Sequence, residues 1–231
     1  MQPGWPMRAA LWLLLAESAR ANRAHYPHLP TVWLPHALGN SLVLCSPELI
    51  AALDRRLGLE ALCQQSTPTA ALYQTLNALC VENPRWGYSI APLVLGYVLS
   101  HPRLNIYQGR WARWRFLGFG LDALPHSITA FALTLLMRDG LETLGRYLPD
   151  SSLFASVVQP LARHPALTSA AALAFLSAVW EIGEYLIQQE ELRRTGGNRE
   201  QINMQWSVAD MSHDLLSNAT GWGLATWLRQ R

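Results

Sequence analysis

Three short runs place ionisable side chains inside otherwise apolar, helix-length stretches, and their spacing decides what they can do together. Asp210, Asp214 and Asn218 recur every fourth residue, so on a helix they line one face. Glu181 and Glu184 close a long Ala/Leu-rich run and also share a face. Asp122 and His126 repeat the four-residue spacing further upstream, beside Pro125. An unpaired carboxylate in apolar surroundings costs several kcal/mol, so three such intrusions predict one shared interior site.

Carboxylates facing one another repel unless one is protonated or a cation lies between them. Several carboxylates with an imidazole form a donor set for a hard or borderline divalent ion: Mg, Mn, Fe or Zn. The predicted ligands are His126, Glu181, Glu184, Asp210 and Asp214, with Asp122, Glu181 and Asp214 as the catalytic candidates. Asn218 is a further polar member, and His213 lies about a quarter turn off the Asp210/Asp214 row, a neighbour rather than a ligand. Each element also has a plainer reading. Asp122 and His126 form an ion pair or a kink beside Pro125, whose missing amide frees a carbonyl one turn back. Glu181 and Glu184 lie on a helix that has already reached water. Asp210/Asp214/Asn218 resists that explanation, because the apolar run continues past it through Leu215, Leu216 and Trp222. The chain has no HExxH, GxSxG or phosphate-binding glycine loop, so the common soluble hydrolase and nucleotide chemistries find no support.

Proline and glycine divide the chain into helix-length pieces with no alternating strand pattern. The predicted helices cover 7–23, 32–53, 69–81, 88–100, 115–137, 166–189 and 207–228. The last three are long enough to cross a hydrocarbon core of about 30 Å. The segment 32–53 also reaches that length, with Pro35 and Pro47 predicted to kink it. The stretch 188–205 reads as a solvated loop, and the distribution of Arg leans towards placing it in the cytoplasm. Arg110, Trp111, Arg113, Trp114 and Arg115 interleave cation and indole as a headgroup-level connector does; an ordinary cationic surface helix gives the same pattern.

Half of the 231 residues are hydrophobic and only 15% are charged, against roughly 25% in an average globular domain. Ten Trp point the same way, because indoles gather at membrane interfaces. Against the membrane stands a mean hydropathy of only +0.07, a value that multi-span proteins with polar interiors share. The expectation is one all-α domain over 1–231: a polytopic helical membrane bundle of about five or six spans, with 115–228 carrying the motifs. A soluble helical bundle is the alternative. A net charge of +2 with scattered Arg excludes nucleic acid as an expected partner. Cys45, Cys63 and Cys80 lack CxxC spacing and read as reduced thiols.

The order Asp122-x-x-x-His126, Glu181-x-x-Glu184-Tyr185, then Trp206…Asp210-x-x-x-Asp214-x-x-x-Asn218-x-x-Gly221 resembles the small VanZ-like and YjdF-like bacterial integral-membrane proteins. The resemblance spans 118–227. It implies a multi-pass protein of the inner membrane and brings no assigned reaction. The site residues leave three expectations open: a metal-dependent membrane hydrolase acting on an amphipathic or lipid-linked substrate, a proton-linked transporter or channel, and a non-catalytic membrane protein whose polar groups join helices. The lipid bilayer is the expected partner in all three.

Overall fold

Prolines mark half of the α-helix starts among the described residues. Pro sits at the first or second position of α1 (Trp5–His25), α2 (Leu34–Leu44), α3 (Ser46–Leu57), α5 (Pro68–Leu76) and α9 (Pro165–Arg194). There its fixed φ suits the helix and its missing amide would have lacked a partner anyway. The computed structural model describes residues 4–30, 33–63, 65–107, 110–116, 118–202 and 204–230. Residue 32, where the second predicted helix begins, and residue 117, inside the fifth, lie outside them. The remaining elements are α4 (Leu59–Leu62), α6 (Trp86–Val98), β1 (Arg115–Phe116), β2 (Phe119–Gly120), α7 (Ala123–Tyr147), α8 (Ala155–Arg163) and α10 (Val208–Gln230). The fold is all-α, with β1 and β2 forming only a two-residue antiparallel pair.

The expected kink in 32–53 is a break. Helices α2 and α3 meet at Cys45 with a 63° bend, and Pro47 opens α3. Arg8 of α1 braces the corner. Its guanidinium donates to the Leu44 carbonyl at 2.8 Å and, in a two-pronged pair, to Glu48 at 2.6 Å. One side chain thus occupies a carbonyl at the end of α2 and an acid in the first turn of α3. Around this corner Leu11, Leu15, Leu44, Ile90 and Val94 form the N-terminal core.

Three predicted boundaries need correction. The helix expected over 115–137 begins only at Ala123, after the β1–β2 turn, and continues to Tyr147. Asp122 is therefore its N-cap rather than an interior residue, its carboxylate accepting the Ala123 amide at 3.0 Å. Pro125 falls in the first turn, where its lack of an amide leaves no broken bond and no kink. The loop expected over 188–205 is shorter, because α9 runs on to Arg194. Helix α8 was not expected; Pro160 inside it and its nine residues obscured it.

Among the described residues one helix, α9, is both long and apolar enough to cross a membrane; α2 and α3 would make a second, broken span. Helices α7 and α10 have 25 and 23 residues but do not combine that length with the same apolarity.

The site rests on α7, α9 and α10. Helices α7 and α10 run in the same direction: His126 meets Asp214, Gly221 abuts the backbone at Ser127 and Phe131, and Arg229 bridges Asp139 and Glu142. Helix α9 runs the other way, with Asn218 on Ser177 and Trp222 on the Ala166 carbonyl. A Cβ at Gly221 would collide with the Ser127 carbonyl, so this glycine permits the close approach of the two helices.

Candidate functional site

Periodicity on α9 and α10 brings the carboxylates together. Glu181 and Glu184 project from α9 towards Asp214 on α10. One carboxylate oxygen from each lies within 4.8 Å of the other two. Glu181 and Asp214 are buried, and Glu184 is half-buried. From α7, the His126 Nε2 reaches within 3.4 Å of the Asp214 Oδ2. Four of the expected residues therefore share one location, on three helices.

Indole donors hold the two glutamates. Trp206, in the segment leading into α10, donates its Nε1–H to the Glu181 Oε2 at 2.9 Å. Trp180, one turn before Glu184 on the same helix, donates to the Glu184 Oε1 at 2.8 Å. Each glutamate thus has one oxygen fixed by an indole and the other left over. Asp214 differs: its side chain is only 9% exposed, and among the described residues it receives no N–H or O–H hydrogen bond. Its one close polar neighbour among the described residues is the His126 imidazole at 3.4 Å, a pair that is ionic only when the ring is protonated.

The other predicted residues lie around this group rather than in it. Asp210 is one turn earlier on α10, half-buried, and is not one of the three carboxylates that can share an ion. Asp122 is engaged as the α7 cap, and a Cβ at Gly120 would strike both its carboxylate and the Arg115 guanidinium. Asn218 donates to the Ser177 Oγ at 2.9 Å, one turn below Asp214, joining α10 to α9. His213 packs against Phe119, with ring centres 5.4 Å apart, and keeps the neighbouring role expected of it.

Several residues at the site carried no expected role. Trp180 sits four residues before Glu184, the same spacing that identified the other pairs, so it was legible in principle. Trp206 and Tyr107 belong to connectors, where spacing carries no information about reach. Tyr107 donates its hydroxyl to the Gly96 carbonyl at 3.1 Å. Burial, and then the carboxylates of Asp122, Asp214 and Glu184, push its phenol above the usual range, so it remains a neutral donor at ordinary pH. His36, on α2, reaches the far side of Trp180, with ring centres 5.6 Å apart.

Comparison with protein families, curated proteins and solved structures finds no match to this chain. The likeness to the VanZ-like and YjdF-like proteins rests on the motif residues alone, and the site has to be read from its own geometry.

Chemically, the arrangement offers three carboxylate oxygens within 4.8 Å of one another, with the His126 imidazole beside Asp214 but outside that group. That set can hold one divalent ion with open positions for water or substrate. It can alternatively share protons among its acids.

Proposed function

We propose that this chain is an integral membrane protein whose buried carboxylate–imidazole site binds a divalent metal ion through Glu181, Glu184, Asp214 and His126. The observation that carries the metal reading is the convergence of three carboxylate oxygens within 4.8 Å, from two helices, on a buried Asp214 that lacks a donor. A bound cation removes the mutual repulsion of the acids in one step and would supply an acidified water. The residues outside the ligand group fit that chemistry. Trp180 and Trp206 hold the glutamates, and Asp210, one turn before Asp214 on α10, is the candidate proton acceptor for such a water. The reaction this favours is hydrolysis of an amphipathic or lipid-linked substrate.

The membrane reading is supported by where large and small side chains lie. Among the buried residues of α7, α9 and α10 are the small Ala130, Thr134, Ser169, Ser177, Ser217, Gly221 and Ala225, of which Ser177 and Gly221 lie at helix–helix contacts. The bulky residues Phe175, Leu176, Val179, Ile182, Leu186, Leu215 and Leu224 are exposed. Only 22% of the apolar window in α9 is buried, whereas a core helix of a soluble protein would be mostly covered. Small residues between helices and bulky apolar ones outside match packing in lipid. On this reading the protein is multi-pass in the inner membrane, as the motif resemblance implies.

Elemental analysis of protein purified without chelator tests the site. Close to one divalent ion per chain is expected, with loss of the ion in Glu181→Gln/Asp214→Asn. Absence of metal from the wild-type protein, together with proton uptake that tracks substrate movement in vesicles, would favour a relay of protonated acids instead.

A further inference from the structure

An aromatic contact links the N-terminal helices to the acidic site. His36 lies in the first turn of α2, stacked on Tyr97 of α6 with ring centres 5.4 Å apart and planes within 10°. Its edge meets the Trp180 ring of α9 at 5.6 Å and 64°. Tyr97 is buried, and its hydroxyl accepts from Asn22 of α1 at 3.4 Å. On its other side, Trp180 grips Glu184 through its Nε1–H. The indole is 48% exposed, and among the described residues His36 is the aromatic ring packed against it. His36 is in turn stacked on the buried Tyr97.

We propose that His36 and Trp180 are positioning residues for the acidic site: together they fix the Glu184 carboxylate so that its second oxygen faces Glu181 and Asp214. This rests on the metal-binding reading. A carboxylate ligand aimed by an outer hydrogen bond typically loses about 10- to 100-fold in metal affinity when that bond is removed. Without the indole N–H, Glu184 is free to rotate into the half-exposed space around it. Without His36, Trp180 gains rotamers in which its N–H no longer points at Glu184. The role of His36 is steric rather than protonic, so an aromatic ring of similar shape replaces it.

The test is Mn(II) titration of the full-length protein in detergent, followed by electron paramagnetic resonance. Trp180→Phe keeps the ring but lacks the donor, and is expected to weaken Mn(II) binding about 10-fold or more. His36→Ala should weaken it in the same direction, and His36→Phe should restore most of the affinity. Non-additivity separates positioning from general damage: if Trp180 acts through Glu184, Trp180→Phe/Glu184→Gln binds no more weakly than Glu184→Gln alone. Wild-type binding with undiminished affinity in Trp180→Phe, or fully additive losses, overturns the positioning role and leaves the metal site standing. No Mn(II) binding by the wild-type protein overturns both.

Discussion

Asp214 carries the most consequence of any single residue at the site. It is the best-buried of the three acids, it has no hydrogen-bond donor among the described residues, and it alone touches His126. Asp214→Asn keeps its shape and removes its charge. If the site holds a metal, the variant is expected to lose the ion and the stability that binding adds. For an ion at about one hundred times its dissociation constant that is ~2.7 kcal/mol, or about 5–10 °C in Tm for a chain of this size. Thermal unfolding with and without added Mn(II) measures it; an unchanged or raised Tm would instead show that removing a buried charge is favourable here. A milder effect is expected at Trp206→Phe, which strips the indole donor from Glu181: about 10-fold weaker metal binding with the apo-protein Tm within a few degrees of wild type. Three- and four-residue spacings made Glu181, Glu184, Asp214 and His126 legible, because helix geometry alone puts such residues on a common face. They misjudged Asp122. Whether a residue caps a helix or lies within it depended on the β1–β2 turn, whose two-residue strands leave no periodic signal.

At the scale of elements, two contacts hold the helices in place, and each gives a sharp expectation. Gly221 lets α10 lie against the α7 backbone, so Gly221→Val is expected to force the pair apart and cost at least about 1–3 kcal/mol, read as a fall in Tm in detergent. Because Asp214 lies two turns away on the same helix, metal affinity should fall with it; Gly223→Val, where a Cβ meets open space, serves as the control. Arg8 braces the α2–α3 corner. Arg8→Met keeps the apolar stem but leaves the buried Leu44 carbonyl without its donor, an expected loss of about 1–3 kcal/mol. Glu48 adds less than a fully buried partner would, since its side chain is 46% exposed. The prolines made the corner and half of the helix starts readable in the sequence. The brace was not readable, because Arg8 and Glu48 are forty residues apart and only the bend brings them together.

For the whole molecule the question is which solvent surrounds it, and the arrangement of side chains argues for lipid more strongly than the composition does. Hydrophobic content of 50% is compatible with either solvent. The distribution is less neutral: small residues such as Ala130, Ser177, Ser217 and Ala225 are buried on α7, α9 and α10, while Phe175, Leu176, Val179 and Ile182 are exposed along one helix. In water such a surface would be a contiguous apolar patch of the kind that drives association; in lipid it costs nothing, and the small residues gain by close approach. Extraction decides the matter. Cells broken without detergent are expected to retain the protein in the membrane pellet through washes in high salt and carbonate, and to release it only in detergent. Recovery of a folded monomer from the soluble fraction would defeat the membrane reading while leaving the carboxylate site intact, since its geometry does not depend on the solvent. A finer test uses α9 itself. Phe175→Arg places a charge on the outward face near the middle of the helix, about nine residues and ~14 Å from the site at Glu184. In lipid this should cost about 2.5–3.5 kcal/mol and cut the yield of inserted protein. In water the same change, on a residue 67% exposed, should be neutral or improve solubility. The two solvents therefore predict different outcomes for one substitution, a loss in lipid and none in water, read by the total amount of folded protein recovered.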